Sequence, residues 1–163
     1  MSGEHAHLAH LARRFGAGLV RRPPAPRDEA WARDRLREAE LALWVRLGPA
    51  DRRHAIAVAR AVDGPDAPAW VAPAALLHDV GKLDAGLGVL GRTLAAMAER
   101  AGRRPGGRIG RHLGYPAAGA ALLAEAGALP EVQAWAAEHH LPAASWTLDP
   151  TWAARLAAAD HAP

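Results

Sequence analysis

The sequence predicts an all-α fold, and both its composition and the spacing of its apolar residues support that prediction. Of the 163 residues, 50% are hydrophobic, mostly alanine, leucine and valine, with a single phenylalanine and a single tyrosine. Strong helix formers are therefore abundant and aromatic strand formers are scarce. Apolar residues also recur at helical spacing between proline and glycine breaks. A chain of this length is expected to form one domain with a sizeable core, here a bundle of about six to eight helices.

The first part of the chain is divided by proline and glycine. Residues 1–27 are predicted to be an N-terminal segment, with a short helix over 4–15, that ends in a linker rich in proline and arginine. The single domain then covers residues 28–163. Its first helix is predicted from Asp28, as N-cap, to Leu47, because apolar residues recur there every three or four positions. Gly48-Pro49 ends this helix and starts the next.

Two further helices follow before the middle of the chain. One is predicted from Pro49 to Val62, and residues 63–66 (Asp-Gly-Pro-Asp) form a turn after it. The next, from about Pro68 to Val80, is apolar on every side, which is typical of a buried helix. Gly81 is predicted to cap it in the left-handed conformation.

Four helices are predicted in the remainder of the chain. They cover residues 90–101, 116–126, 130–140 and a final stretch from about Pro150 to Asp160. A basic, glycine-containing loop follows the first of them. The third ends in a pair of adjacent histidines, and the fourth ends in an aspartate after an apolar run.

Composition disfavours several kinds of protein. There is no cysteine, so disulfides and thiolate metal sites are excluded, which fits the reducing cytoplasm that we expect as its location. No stretch approaches the roughly 18 uncharged apolar residues of a membrane span. The net charge is only +3, and acidic residues are spread among the arginines as on a solvated surface. We therefore expect neither membrane nor nucleic-acid partners, and the oligomeric state stays open.

Residues able to bind a metal ion occur at the ends or on the faces of apolar helices. They are His54, the adjacent pair His78-Asp79, and Asp160. A lone histidine on such a face is more often a hydrogen-bonded core residue than a ligand. A carboxylate carried into a core is costly unless it is paired or binds a metal. Two imidazoles and two carboxylates together suit a divalent ion.

The order of these residues resembles the HD-domain superfamily of metal-dependent phosphohydrolases. The resemblance rests on His54, then residues 76–82 (Leu-Leu-His-Asp-Val-Gly-Lys), then Asp160, and it covers residues 50–160. It implies an HD-type helical bundle around a metal site, with His54, His78, Asp79 and Asp160 as ligands of Mn, Fe, Mg, Zn or Ni. Asp79 would be catalytic. Lys82, the only lysine in the chain, would be the second catalytic residue and approach the substrate phosphate.

A second metal ion is implied less directly. The adjacent pair His139-His140 resembles the paired histidines of HD-GYP domains, and residues 116–123 resemble the helix that follows another ligand histidine there. This chain has Tyr115 where that histidine would stand, and it lacks the Gly-Tyr-Pro segment after the paired histidines. His112, three residues earlier, either replaces the missing ligand in part or is a surface residue.

The expected activity is hydrolysis of a phosphomonoester or phosphodiester, such as a nucleotide or cyclic nucleotide. Arg104, Arg108 and Arg111 of the basic loop either clamp phosphate oxygens or belong to a solvated loop. A phosphorylated small molecule would be the substrate. The alternative is an HD-fold signalling or regulatory domain that binds metal without turnover.

Overall fold

The regular structure in the described part of the chain is entirely helical. The computed structural model describes residues 22–85 and 115–162. The elements in chain order are α1 (Pro26–Arg33), α2 (Glu38–Trp44), α3 (Pro49–Val62), α4 (Val71–Leu77), α5 (Lys82–Ala85), α6 (Tyr115–Glu125), α7 (Pro130–Glu138), a 3-10 helix (Ala143–Ser145) and α8 (Pro150–His161). The all-α prediction is confirmed, and this set agrees with a bundle of six to eight helices.

The single helix predicted from Asp28 to Leu47 is wrong, because the chain turns at residues 34–37 between α1 and α2. Arg35 lies in this turn, where its guanidinium donates to the Trp31 carbonyl and pairs with Asp63 Oδ2 at 2.7 Å. The first helix also begins earlier than predicted. Its N-cap residue is Ala25 rather than Asp28, because a proline follows in the first helical position, where its missing N–H costs nothing.

The buried helix α4 ends three residues before the predicted Val80. Residues 78–81 form a turn in which the Val80 amide donates to the Leu77 carbonyl and the Lys82 amide donates to the Asp79 carbonyl, each at 3.0 Å. The left-handed cap predicted at Gly81 is also wrong. Among the described residues only Gly127 has a positive φ, of 65°. The chain continues from α4 through tight right-handed turns into α5, so no reversal of the backbone is needed at Gly81.

The core surrounds α4, as its apolar sequence predicts. Every residue from Val71 to Leu77 is buried, and α3, α7 and α8 all pack against this helix. The largest fully buried apolar side chains are Trp44, Leu76, Leu77, Leu123, Trp135 and Leu156. The C-terminal end of α4 therefore emerges among three neighbouring helices rather than into solvent.

The helices of the second half agree closely with their predicted bounds. Those predicted at 116–126, 130–140 and from Pro150 are α6, α7 and α8, and they differ at their ends by at most two residues. Helix α6 ends in a Schellman motif at Gly127, in which the Ala128 amide donates to the Leu123 carbonyl at 3.0 Å. The helices predicted at 4–15 and 90–101 lie outside the described residues. No helix in the described ranges is long and apolar enough to cross a membrane.

The side chain of Asp149 caps the N-terminus of α8, the helix that carries Asp160. Its Oδ1 accepts hydrogen bonds from the amides of Thr151 at 3.0 Å and Trp152 at 3.1 Å. Asp149→Ala is expected to lower the free energy of unfolding by about 1 kcal/mol, because both amides lose their acceptor. Urea denaturation of the metal-free protein measures this. Asp66→Ala, at an exposed turn position, is the control, and an equal effect of the two substitutions would contradict the assignment.

Candidate metal centre

Three side chains with metal-binding atoms converge from three helices. His54 lies on α3, His78 follows α4 directly, and Asp160 lies near the end of α8. Their ligand atoms all lie within 4.8 Å of one another, so this group could hold a metal ion. Asp160 Oδ1 is 2.7 Å from His54 Nε2 and 3.4 Å from His78 Nε2. Metal–ligand bonds of about 2.0–2.2 Å separate the ligands of one ion by roughly 3–4 Å, which is close to this spacing.

Asp79, the fourth predicted ligand, adjoins this group. Its Oδ2 lies 3.5 Å from His78 Nε2, and its Oδ1 lies 3.9 Å from His139 Nε2. The Asp79 side chain is therefore flanked by imidazoles from two different helix ends. Its Oδ2 also accepts a hydrogen bond from Nζ of Lys82. Lys82, which we expected at a substrate phosphate, thus pairs with a carboxylate of the site in this structure.

Backbone carbonyls orient two of the imidazoles. His78 Nδ1 donates to the Ala75 carbonyl at 2.8 Å, and His139 Nδ1 lies 3.1 Å from the Ala136 carbonyl. A backbone acceptor at Nδ1 fixes the proton of a neutral imidazole there, so that Nε2 carries the lone pair. The Nε2 atoms of both rings point towards the carboxylates of the site. Such a hydrogen bond on the far side of the ring is the usual support of a metal-binding histidine.

The two buried carboxyl groups are held in the ionised form. Burial alone would raise their pKa values, because it penalises the charged state. For Asp79 this effect is outweighed by the ammonium of Lys82 and the charge of His78, which hold its pKa well below the usual range. For Asp160 it is outweighed by hydrogen bonds from His54 and His78, and its pKa is also well below the usual range. Both groups are therefore ready to bind a cation without releasing a proton.

The pKa values of His78 and His139 are shifted in opposite directions. Burial works to lower the pKa of His78, but the charges of Asp79 and Asp160 outweigh it, so the pKa is raised. Burial and the nearby charge of His78 lower the pKa of His139 to about 3. Partial desolvation by neighbouring groups also lowers the pKa of His140, although its side chain reaches the surface. His140 is exposed, with its ring centroid 4.0 Å from that of His139.

The loop after the two histidines is anchored by a residue that the sequence did not reveal. The carboxylate of Glu138 accepts from both the amide and the hydroxyl of Thr147, each at 2.7 Å. The indole of Trp146 donates to the Glu138 carbonyl at 3.1 Å. In the sequence, an acidic residue directly before a histidine pair is only a weak indication of a structural role, because most such residues are solvated. Here Glu138 fixes the chain on the far side of His139 and His140.

The structure thus brings six of the predicted residues to one end of the bundle, and a seventh, His140, lies beside them. The six are His54, His78, Asp79, Lys82, His139 and Asp160. The remaining predicted residues, namely His112, Arg104, Arg108 and Arg111, lie outside the described residues.

Comparison with known proteins does not assign a function to this group of residues. The chain matches no family model, no curated protein and no solved structure.

Metal affinity should depend on pH through His78. Because its pKa is raised, a proton occupies Nε2 over a wider pH range and must leave before a metal ion can bind. The affinity for Mn²⁺ is expected to fall as the pH is lowered from 8 to 6, approaching about tenfold per pH unit for one displaced proton. Calorimetric titration at several pH values measures this. An affinity that is constant over this range, or that rises on acidification, would contradict the proton competition.

The stability of the metal-free protein should depend on pH through His139. The folded protein keeps this group neutral down to about pH 3, whereas the unfolded chain binds a proton below about pH 6.5. Stability contributed by the neutral side chain is therefore present above pH 6.5 and is lost as the pH falls towards 3. Relative to His139→Gln, the wild-type protein should lose unfolding free energy between pH 7.5 and pH 5. Denaturation in the presence of chelator tests this, and a pH-independent difference between the two proteins would refute it.

Proposed function

We propose that this chain is a metal-dependent phosphohydrolase of the HD-domain type, which hydrolyses a phosphomonoester or phosphodiester of a nucleotide or cyclic nucleotide. The observation that carries the proposal is the convergence of His54, His78 and Asp160 at the end of a buried helix, with Asp79 beside them. This set and its order along the chain agree with the resemblance found in the sequence.

The side chains fit a divalent metal ion. Imidazole nitrogens and carboxylate oxygens together suit Mn, Fe, Zn, Mg or Ni. His54, His78, Asp79 and Asp160 would hold the ion, since both carboxylates are ionised and Nε2 of His78 faces the site and binds metal once its proton has left. When bound, such an ion polarises a phosphoryl oxygen and lowers the pKa of water. His139 would take part in binding a second ion, a role supported by its burial and by the 3.9 Å between its Nε2 and Asp79 Oδ1.

The residues around the ligands have separate roles in this proposal. Asp79 orients the attacking water through its carboxylate. Lys82, whose side chain is 17% exposed, has a fixed positive charge next to Asp79 and would neutralise the phosphate as negative charge develops on it. His140, which is exposed beside His139, would exchange a proton with the leaving group.

One observation favours a second candidate, an HD-fold signalling or regulatory domain that binds metal without turnover. The residue before Pro116 is Tyr115, where the resembled motif of enzymes with several metal ions has a histidine. A phenol is a weaker ligand than an imidazole for these ions at neutral pH, because its pKa is near 10. A site that holds one ion well could then serve binding rather than catalysis.

The test combines metal content with a phosphoester panel. Untagged protein loaded with Mn²⁺ is assayed on aryl phosphomonoesters and phosphodiesters, nucleotides and cyclic dinucleotides. His78→Ala or Asp79→Ala should lose both stoichiometric metal and activity. Lys82→Met should keep the metal, because His78 still lies beside Asp79, and should lose about 100-fold or more in kcat/KM, because the charge that stabilises the phosphate is removed. Arg60→Met, an exposed cation on α3, is the control.

The outcomes distinguish the two candidate functions. Wild-type protein that contains stoichiometric metal and hydrolyses none of the panel supports the regulatory domain. Full activity in metal-free Asp79→Ala would rule out the proposed mechanism.

A further inference from the structure

Helix α6 lies against the turn that carries the His78-Asp79 pair, and Gly119 is a point of very close approach. A Cβ placed on Gly119 would lie 3.0 Å from the amide nitrogen of Gly81, 3.3 Å from its Cα and 3.5 Å from Val80 Cγ1. The two nearest atoms are backbone and cannot rotate away as the end of a side chain can. Gly119, Val80 and Gly81 are all buried.

The turn on the other side of this contact is held together by backbone hydrogen bonds and carries residues of the site. Its amides donate in succession, Val80 to the Leu77 carbonyl, Lys82 to the Asp79 carbonyl and Leu83 to the Val80 carbonyl, each at 3.0 Å. Two of these hydrogen bonds, from Lys82 to Asp79 and from Leu83 to Val80, span Gly81. A shift of Gly81 therefore moves the residues before and after it, including Asp79 and Lys82, as one unit.

Helix α6 has little freedom to retreat from the turn. Leu123, one helical turn after Gly119, is fully buried in the core, and α6 packs extensively against α7. The Schellman motif at Gly127 fixes its C-terminal end. At Gly119, α6 therefore leaves no room for a side chain against the backbone of Gly81.

We propose that Gly119 is a positioning residue for the metal centre. The absence of a side chain at Gly119 allows α6 to support the backbone of Gly81 directly, which fixes Asp79 and Lys82 relative to His54 and Asp160. This inference rests on the proposed metal site. Ligand positions matter to within about 0.2 Å in such sites. Relief of a 3.0 Å contact requires a movement of a few tenths of an ångström.

The experiment compares Gly119→Ala with Gly64→Ala, since a Cβ on Gly64 would meet nothing within 4 Å. Three quantities are measured: the Kd for Mn²⁺ by calorimetry, the Tm in chelator, and hydrogen exchange of the metal-free protein by mass spectrometry. Gly119→Ala is expected to weaken Mn²⁺ binding by about 10- to 100-fold, as for other residues that support metal ligands. It should also speed exchange in peptides covering residues 79–83. Gly64→Ala should change neither quantity.

Leu123→Ala separates positioning from a general loss of stability. It removes a buried side chain of the same helix and so lowers Tm. The proposal predicts that, for an equal loss of Tm, Gly119→Ala weakens metal binding more than Leu123→Ala does.

Each remaining outcome is decisive. If Gly119→Ala has the Mn²⁺ affinity and the hydrogen exchange of the wild-type protein, the positioning role is overturned. It is also overturned if Gly119→Ala fails to fold in chelator, because Gly119 would then be required for folding rather than for positioning the ligands. If the wild-type protein binds no metal, the proposed function fails. Exchange then decides the inference about Gly119: acceleration confined to residues 79–83 supports its control of the turn, and unchanged exchange refutes it.

Discussion

The packing of the helices around the site depends on two carboxylates that are buried at one end of an apolar bundle. A carboxylate in such a place costs several kcal/mol unless it is paired and hydrogen-bonded. Asp79 is balanced by Lys82 and His78, and Asp160 by His54 and His78. His78 is common to both carboxylates and follows the most buried helix in the described part of the chain. The polar side chains of the site on α3, α8 and the turn after α4 therefore have their partners only when these three elements pack together.

Such a cluster is not required for stability. Replacing a buried ion pair with well-packed apolar residues is often neutral or stabilising, and the rest of this core is apolar and closely packed. The same features that make the cluster costly suit it to binding a cation: ionised carboxylates, imidazoles with Nε2 directed inwards and little contact with water. The backbone acceptor at His78 Nδ1 adds the orientation that metal ligands require. These features are the physical basis for proposing a metal centre.

Local patterns in the sequence predicted more of the fold than of the site. Helices α3, α7 and α8 begin at prolines and have clear ends, so their bounds were predictable. The break between α1 and α2 was not, because Arg35 is held by Asp63, a partner 28 residues away. The meeting of His54 with Asp160, across 106 residues, was predicted through a family resemblance rather than from periodicity. The close backbone contact at Gly119 depends on packing between helices, which sequence spacing does not determine.

We propose that one divalent cation binds between α3, the end of α4 and α8. Anomalous diffraction from crystals of untagged protein grown with equimolar Mn²⁺ would locate it. One strong peak is expected, bonded to His54, His78 and Asp160, with Asp79 in the same coordination sphere. A peak located elsewhere, or no peak among these residues in a protein that is otherwise folded as described, would contradict the claim.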